Sequence, residues 1–129
     1  MKTNKLLIII GLLLPFMASS QNTQSKLKSL SAQEFKKIIE SDSVVLFDVR
    51  TKPEYDGGHI SGSINIDVND PDFSTLVKSK SKGKSIALYC RSGNRSKFAI
   101  TKLTDFKVII YELNKGFMDW QQSGFPEKK

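Results

Sequence analysis

The chain of 129 residues has one cysteine, Cys90, and it opens the run Cys90-Arg91-Ser92-Gly93-Asn94-Arg95-Ser96. Five residues with strand character, Ser85-Ile86-Ala87-Leu88-Tyr89, lead straight into it, and a helical pattern with Phe98, Ala99, Ile100 and Leu103 follows. The thiol therefore falls on a turn between a buried strand and the start of a helix. The first N–H groups of a helix have no intrahelical partner, and the helix dipole places partial positive charge there. Arg91 and Arg95 add formal positive charge. Both effects favour the thiolate, which is the nucleophilic form of cysteine. The same features bind small anions. The local expectation is a nucleophilic sulfur inside an anion cradle.

The plainer alternative is a buried cysteine that acts as a small hydrophobe. Three features argue against it: the place at the strand's end, the glycine three residues on, and the two arginines. Reactive thiols occupy electropositive, partly open sites. The single histidine is His59, so with one cysteine and one histidine a transition-metal site has too few soft ligands. No metal and no cofactor are expected.

The elements that must position this loop can be read in order. Leu27 and Leu30 suggest a short edge strand. Ser31-Ala32-Gln33-Glu34 is a capping box, and Phe35, Ile38 and Ile39 continue it as an amphipathic helix to about Ser41. Val44-Val45-Leu46-Phe47 is a continuous apolar run ending in Asp48-Val49-Arg50, which suits a strand inside a parallel sheet. Pro53 fits the first turn of a short helix carrying Glu54 and Tyr55, stopped by Gly57-Gly58. The segment from His59 to Ile66 holds a tight turn and a short strand. Pro71 to about Lys78 is another helix, and the lysine-rich stretch Lys78 to Lys84 reads as a solvated loop. The helix after the cysteine is expected to begin near Ser96. Lys107 to Tyr111 is a further buried strand. Lys115 to Trp120 opens a final helix that Gly124 and Pro126 end. Phe98, Phe117 and Trp120 read as core. Strands alternating with helices predict an α/β fold, a central parallel sheet flanked by helices on both faces, with its site at the carboxyl ends of the strands.

The chain's start reads as a targeting segment. A basic opening with Lys2 and Lys5 precedes an apolar run, Leu6 to Leu14, broken only by Gly11. Small residues follow up to Ser20. The expectation is a signal peptide over 1–20, cleaved near Ser20-Gln21, a polar leader over 21–29 and a domain over 30–127. The apolar run is short for a membrane span. No cysteine near its end offers a lipid anchor. An uncleaved anchor is the alternative. Cleavage implies a periplasmic or secreted protein with no stable membrane anchor. Removing Lys2 and Lys5 from 20 basic and 13 acidic side chains leaves a net charge of +5. The basic residues are not interleaved with aromatics on one face, so no nucleic-acid partner is expected. A lone free thiol in an exported chain calls for a function.

Taken together, Asp48-Val49-Arg50, Pro53-Glu54-Tyr55, Gly58 to Ile66 and Tyr89-Cys90-Arg91-Ser92-Gly93-Asn94-Arg95-Ser96 resemble the rhodanese family of sulfurtransferases. Gly116-Phe117 through Trp120 to Gly124-Phe125-Pro126 is similar to that family's usual ending. The resemblance runs from about Leu30 to Pro126, in single-domain form. It implies a thiosulfate sulfurtransferase in which the Cys90 thiolate takes the outer sulfur of a small anionic donor such as thiosulfate, releases sulfite, and carries a persulfide to a thiophilic acceptor. It further implies that Arg91, Ser92, Gly93, Asn94, Arg95 and Ser96 bind the substrate through loop N–H groups and charge. Ser96 either bonds the persulfide or caps the helix. Asp48 and Arg50 are expected to bond loop backbone or pair with Glu54. His59 belongs to a supporting turn, with a proton-donor role as the alternative.

Two other functions compete. A persulfide carrier or interaction module would deliver sulfur to a partner protein. A phosphatase or arsenate reductase of the related dual-specificity type has five residues between cysteine and arginine. Here four separate Cys90 from Arg95, a tighter cradle, and Tyr89 stands where that type has histidine.

Overall fold

A computed structural model describes residues 26–129, together with Gly11 and Pro15. Apart from those two, the expected signal peptide 1–20 and residues 21–25 of the leader lie outside the described residues. Strand β1 (Lys26–Leu30) takes in the remainder of the leader. It is followed by α1 (Ala32–Ile39), β2 (Val44–Asp48), α2 (Lys52–Asp56), β3 (Ile64–Asn65), α3 (Phe73–Ser81), β4 (Ser85–Tyr89), α4 (Asn94–Thr101), β5 (Ile109–Leu113) and α5 (Gly116–Gln122). All strand pairs are parallel, in the order β1-β5-β4-β2-β3. The strand that precedes Cys90 is the middle one of the five.

Strand residues alternate between two apolar layers, as the period of two requires. Phe47, Val49, Ile86, Leu88, Cys90 and Ile110 pack with Phe73 and Val77 of α3 and Ala99 of α4. Leu46, Ala87, Tyr89 and Leu113 pack with Phe35 of α1 and with Phe117 and Trp120 of α5. Helices thus cover both faces, and the apolar runs of β2 and β4 exist because each side of the sheet is buried.

The helix starts follow local chemistry. Ser31 accepts from the Glu34 N–H at 3.2 Å while Glu34 reaches back to Ser31, so the capping box of α1 forms. Thr51 caps α2, with Pro53 in its first turn.

Three boundaries differ from the sequence reading. Helix α3 runs on through Lys78 to Ser81, because Val77 and Ser81 are buried, the Ser81 hydroxyl donates to the Lys78 carbonyl, and Lys78 pairs with Asp105 at 2.8 Å. It ends where Lys82 turns left-handed. Helix α4 starts two residues before Ser96. Strand β5 is displaced to Ile109–Leu113, since its pairing with β1 puts Leu113 opposite Leu30 and buries Leu113. Phe98 is not core: it is 49% exposed, on the outer side of α4, with the Lys102 ammonium 4.7 Å from its ring. Phe117 and Trp120 are buried as expected.

Candidate functional site

The carboxyl ends of β2, β4 and β5 carry the loops that form the site. Cys90 follows β4 directly, and residues 91–96 fold back over it into α4. The Cys90 sulfur accepts two backbone hydrogen bonds, from the Gly93 N–H at 3.1 Å and the Ser96 N–H at 3.3 Å. These are donors at the start of α4, for which Gly93 is the N-cap. The loop carbonyls are drawn the other way. Phe117 N–H donates to the Cys90 carbonyl at 2.8 Å, and Met118 N–H to the Arg91 carbonyl at 3.0 Å. The free donors of α5 therefore hold the loop oxygens away from the sulfur, leaving N–H groups to face it.

Two glycines make this turn possible. Gly93 has φ +102° and lies against the Asn114 carbonyl; Gly116 has φ +70° and lies against the Arg91 backbone. At either position a Cβ would overlap main-chain atoms. Only glycine combines that conformation with that approach.

The structure places the seven predicted residues in the loop 90–93 and the first turn of α4. Cys90, Gly93 and Ser96 are buried, Arg91, Ser92 and Asn94 are exposed, and Arg95 is half-buried. Cys90 is more enclosed than the partly open site expected, at 1% exposure, because it also completes the apolar layer beneath α3 and α4. Ser96 uses its backbone N–H on the sulfur. Its hydroxyl donates to the Gly93 carbonyl at 2.9 Å and reaches Glu112 at 3.3 Å. It neither touches the sulfur nor accepts as an N-cap.

Asp48 and Arg50 take the first of the two arrangements expected of them, bonding loop backbone. Arg50 does not pair with Glu54. It forks onto Asp48, with its Nη2 at 2.7 Å from Oδ2, and donates to the Gly58 carbonyl at 2.7 Å. Both side chains are buried, at 5% and 0% exposure. Burial works to lower the Arg50 pKa, but the hydrogen bond and charge of Asp48 raise it above its ordinary value. The guanidinium also lies 4.4 Å over the Phe117 ring, tying β2 to α5. Glu54 instead holds Arg95, Oε1 to Nη1 and Oε2 to Nη2, each at 2.8 Å. The Arg95 bonds outweigh partial burial and hold the Glu54 carboxyl down to about 2, while Glu54 raises Arg95.

Further residues support the floor. The Tyr89 hydroxyl accepts from the Ile60 N–H at 3.0 Å, and burial raises its pKa, so it stays protonated. His59 stacks on Tyr55 at 3.7 Å, with its Nδ1 2.8 Å from the Tyr55 carbonyl, and its backbone bridges to Lys128. That is a supporting turn. Beside the loop is a cavity of about 300 Å³, lined in part by Arg50, Glu54, Gly58, Arg91, Phe117 and Gln121. Among the described residues no group of three or more His, Cys, Asp or Glu gathers as metal ligands, and no helix is long and apolar enough to cross a membrane.

The partnership of Glu54 with Arg95 and the buried carboxylate of Glu112 were not read from the sequence. A signal for the first existed. Strands β2 and β4 are neighbours, so the segments after them must meet, and one brings an acid where the other brings a base.

The rhodanese-like domain profile matches residues 31–123. An uncharacterized protein of Synechocystis sp. is 33% identical over 88% of this chain and 61% of its own length. The tRNA uridine(34) hydroxylase of Staphylococcus saprophyticus is 33% identical over 72% of this chain and 28% of its own. The chain thus spans less than two thirds of these curated relatives. Among solved structures, a rhodanese-related protein from Thermoplasma volcanium superposes with a TM-score of 0.68 at 28% identity, covering 78% of this chain and 97% of that one.

Proposed function

This chain belongs to the rhodanese-like domain family, and from that premise we propose that it is a sulfurtransferase carrying sulfane sulfur on Cys90. One observation supports this most: the only thiol sits under two N–H donors at a helix start, at 3.1 and 3.3 Å. The Cys90 thiolate attacks the outer sulfur of thiosulfate. The new S–S bond forms as the old one breaks, and sulfite leaves with the electron pair. Cys90 then bears a persulfide anion, and a thiophilic acceptor removes the outer sulfur to regenerate the thiolate. Fixed N–H donors stabilise the negative charge on sulfur without reorganising, as an oxyanion hole does. Arg91 docks the anionic donor at the rim, and the backbone of residues 91–96 forms the cradle. Neither a metal nor a cofactor takes part in this scheme.

The basic and apolar opening of the chain supports export, with the domain acting in the periplasm or outside the cell. N-terminal sequencing of the secreted product tests that, with cleavage near Ser20 expected and an intact Met1 contradicting it.

The test of activity is thiocyanate release from thiosulfate and cyanide, on the domain and on Cys90→Ser. Turnover that the substitution abolishes supports the reading. A one-sulfur mass gain without turnover favours a persulfide carrier that awaits a protein acceptor. The absence of both signals from folded protein refutes sulfur transfer.

A further inference from the structure

Three cations lie on the loop and the first turn of α4, and their partners differ. Lys97 is committed inward: its Nζ lies 3.4 Å from the Gly93 carbonyl, 3.4 Å from Asn114 Oδ1 and 3.6 Å from the buried Glu112 carboxylate. Arg95 is committed across the site mouth, with both terminal nitrogens on both oxygens of Glu54. Arg91 is exposed, and no hydrogen bond or ion pair engages its side chain among the described residues. Arg91 and Glu54 both line the cavity beside the loop. A donor entering there meets one free guanidinium, Arg91, beside two guanidinium–carboxylate pairs, Arg50 with Asp48 and Arg95 with Glu54.

Charge alone distinguishes donors at such a mouth. Thiosulfate is a dianion. An organic thiosulfonate carries the same transferable sulfur with a single charge and an added carbon group. The cavity of about 300 Å³ has more room than thiosulfate needs. We propose that Glu54, by holding Arg95, sets the charge of the sulfur donor this site accepts, favouring monoanionic organic thiosulfonates over dianionic thiosulfate. The proposal rests on the sulfurtransferase reading and adds its substrate class. The step balances: the Cys90 thiolate bonds the outer sulfur, the bond to the sulfonyl sulfur breaks, and a sulfinate leaves with the electron pair. The products carry the same total charge as the reactants. Glu54 touches Arg95 rather than the reacting atoms, so it is a positioning residue.

The test measures KM and kcat for thiosulfate and for methanethiosulfonate, with cyanide as acceptor. The unmodified domain has the lower KM for methanethiosulfonate. Glu54→Gln frees Arg95 and lowers the thiosulfate KM by about fivefold, the scale of one partly exposed charge pair. The methanethiosulfonate KM moves less than about twofold, because a single charge is already met by Arg91. The double variant Glu54→Gln/Arg95→Gln returns the thiosulfate KM close to its original value, since Arg95 is already neutralised. Arg95→Gln alone leaves the Glu54 carboxylate unpaired and raises the thiosulfate KM more than the methanethiosulfonate KM. A merely structural bridge would move both donors together and would act on kcat. An unchanged ratio of the two KM values in Glu54→Gln and Arg95→Gln overturns the proposal. Failure of both donors to load sulfur onto Cys90 of the unmodified domain refutes sulfur transfer itself.

Discussion

Replacing Gly116 by alanine isolates the contact that closes the loop, and Gly62→Ala is its built-in control. Both glycines have positive φ, +70° and +84°. Alanine in that region costs about 1–2 kcal/mol, and each change also removes a similar amount of unfolded-chain entropy. These contributions cancel in the comparison. The difference lies in the surroundings. Nothing lies within 4 Å of a Cβ built at Gly62, whereas one at Gly116 overlaps the Arg91 carbonyl group and the Ser92 nitrogen. Main-chain atoms cannot rotate aside, so α5 must shift. The bonds from Phe117 to the Cys90 carbonyl at 2.8 Å and from Met118 to the Arg91 carbonyl at 3.0 Å then lengthen. Overpacking of this kind costs about 1–3 kcal/mol. Gly116→Ala is therefore expected to cost about 2 kcal/mol more than Gly62→Ala, which lowers its melting temperature by roughly 8–16 °C more. Thermal denaturation by circular dichroism measures this, and single-turnover loading of Cys90 by thiosulfate follows the loop. Loading slows by about tenfold or more in Gly116→Ala, because displaced donors no longer face the sulfur. It is unchanged in Gly62→Ala. Variants that melt within about 3 °C of each other and load at equal rates would refute the argument that α5 positions the cysteine loop.

Two further outcomes follow from the ion pairs. Asp48→Asn leaves the buried Arg50 guanidinium without its counter-charge and is expected to cost about 3–5 kcal/mol in urea unfolding; a loss below about 1 kcal/mol would contradict the buried pair. Glu54 is held at about 2 from an ordinary 4.5, so its stabilisation is complete above about pH 5 and disappears as pH falls through 2. The full span corresponds to about 3 kcal/mol, but both side chains are 32% exposed, and screening reduces it to about 1 kcal/mol. The stability difference between the unmodified domain and Glu54→Gln should shrink as pH is lowered from 5 to 2 and vanish below that. A difference as large at pH 2 as at pH 7 would show that the pair does not act through its charge.

Much of the fold was legible because both layers leave local marks. The capping box at Ser31 and the apolar runs of β2 and β4 identify their elements by type. The cysteine's place after the middle strand follows from alternating strands and helices. What escaped the sequence depends on tertiary partners. Lys78 to Lys84 is polar enough for a loop, yet Asp105 and the buried Ser81 extend the helix. Phe98 has the side chain of a core residue, but α4 turns it outward beneath Lys102. At the site, the seven loop residues are contiguous and were read together. The sequence presents Arg95 as a free docking charge because its separation of 41 positions from Glu54 hides a 2.8 Å contact. The enclosure of the sulfur was missed for the same reason: Cys90 closes an apolar layer as well as opening the loop.

The most direct measurement is intact mass of the domain after exposure to thiosulfate and desalting, with peptide mapping of the change. The account predicts a gain of one sulfur atom on the peptide containing Cys90, reversed by cyanide and absent from Cys90→Ser. A folded domain whose mass does not change, or a gain that persists in Cys90→Ser, would contradict it.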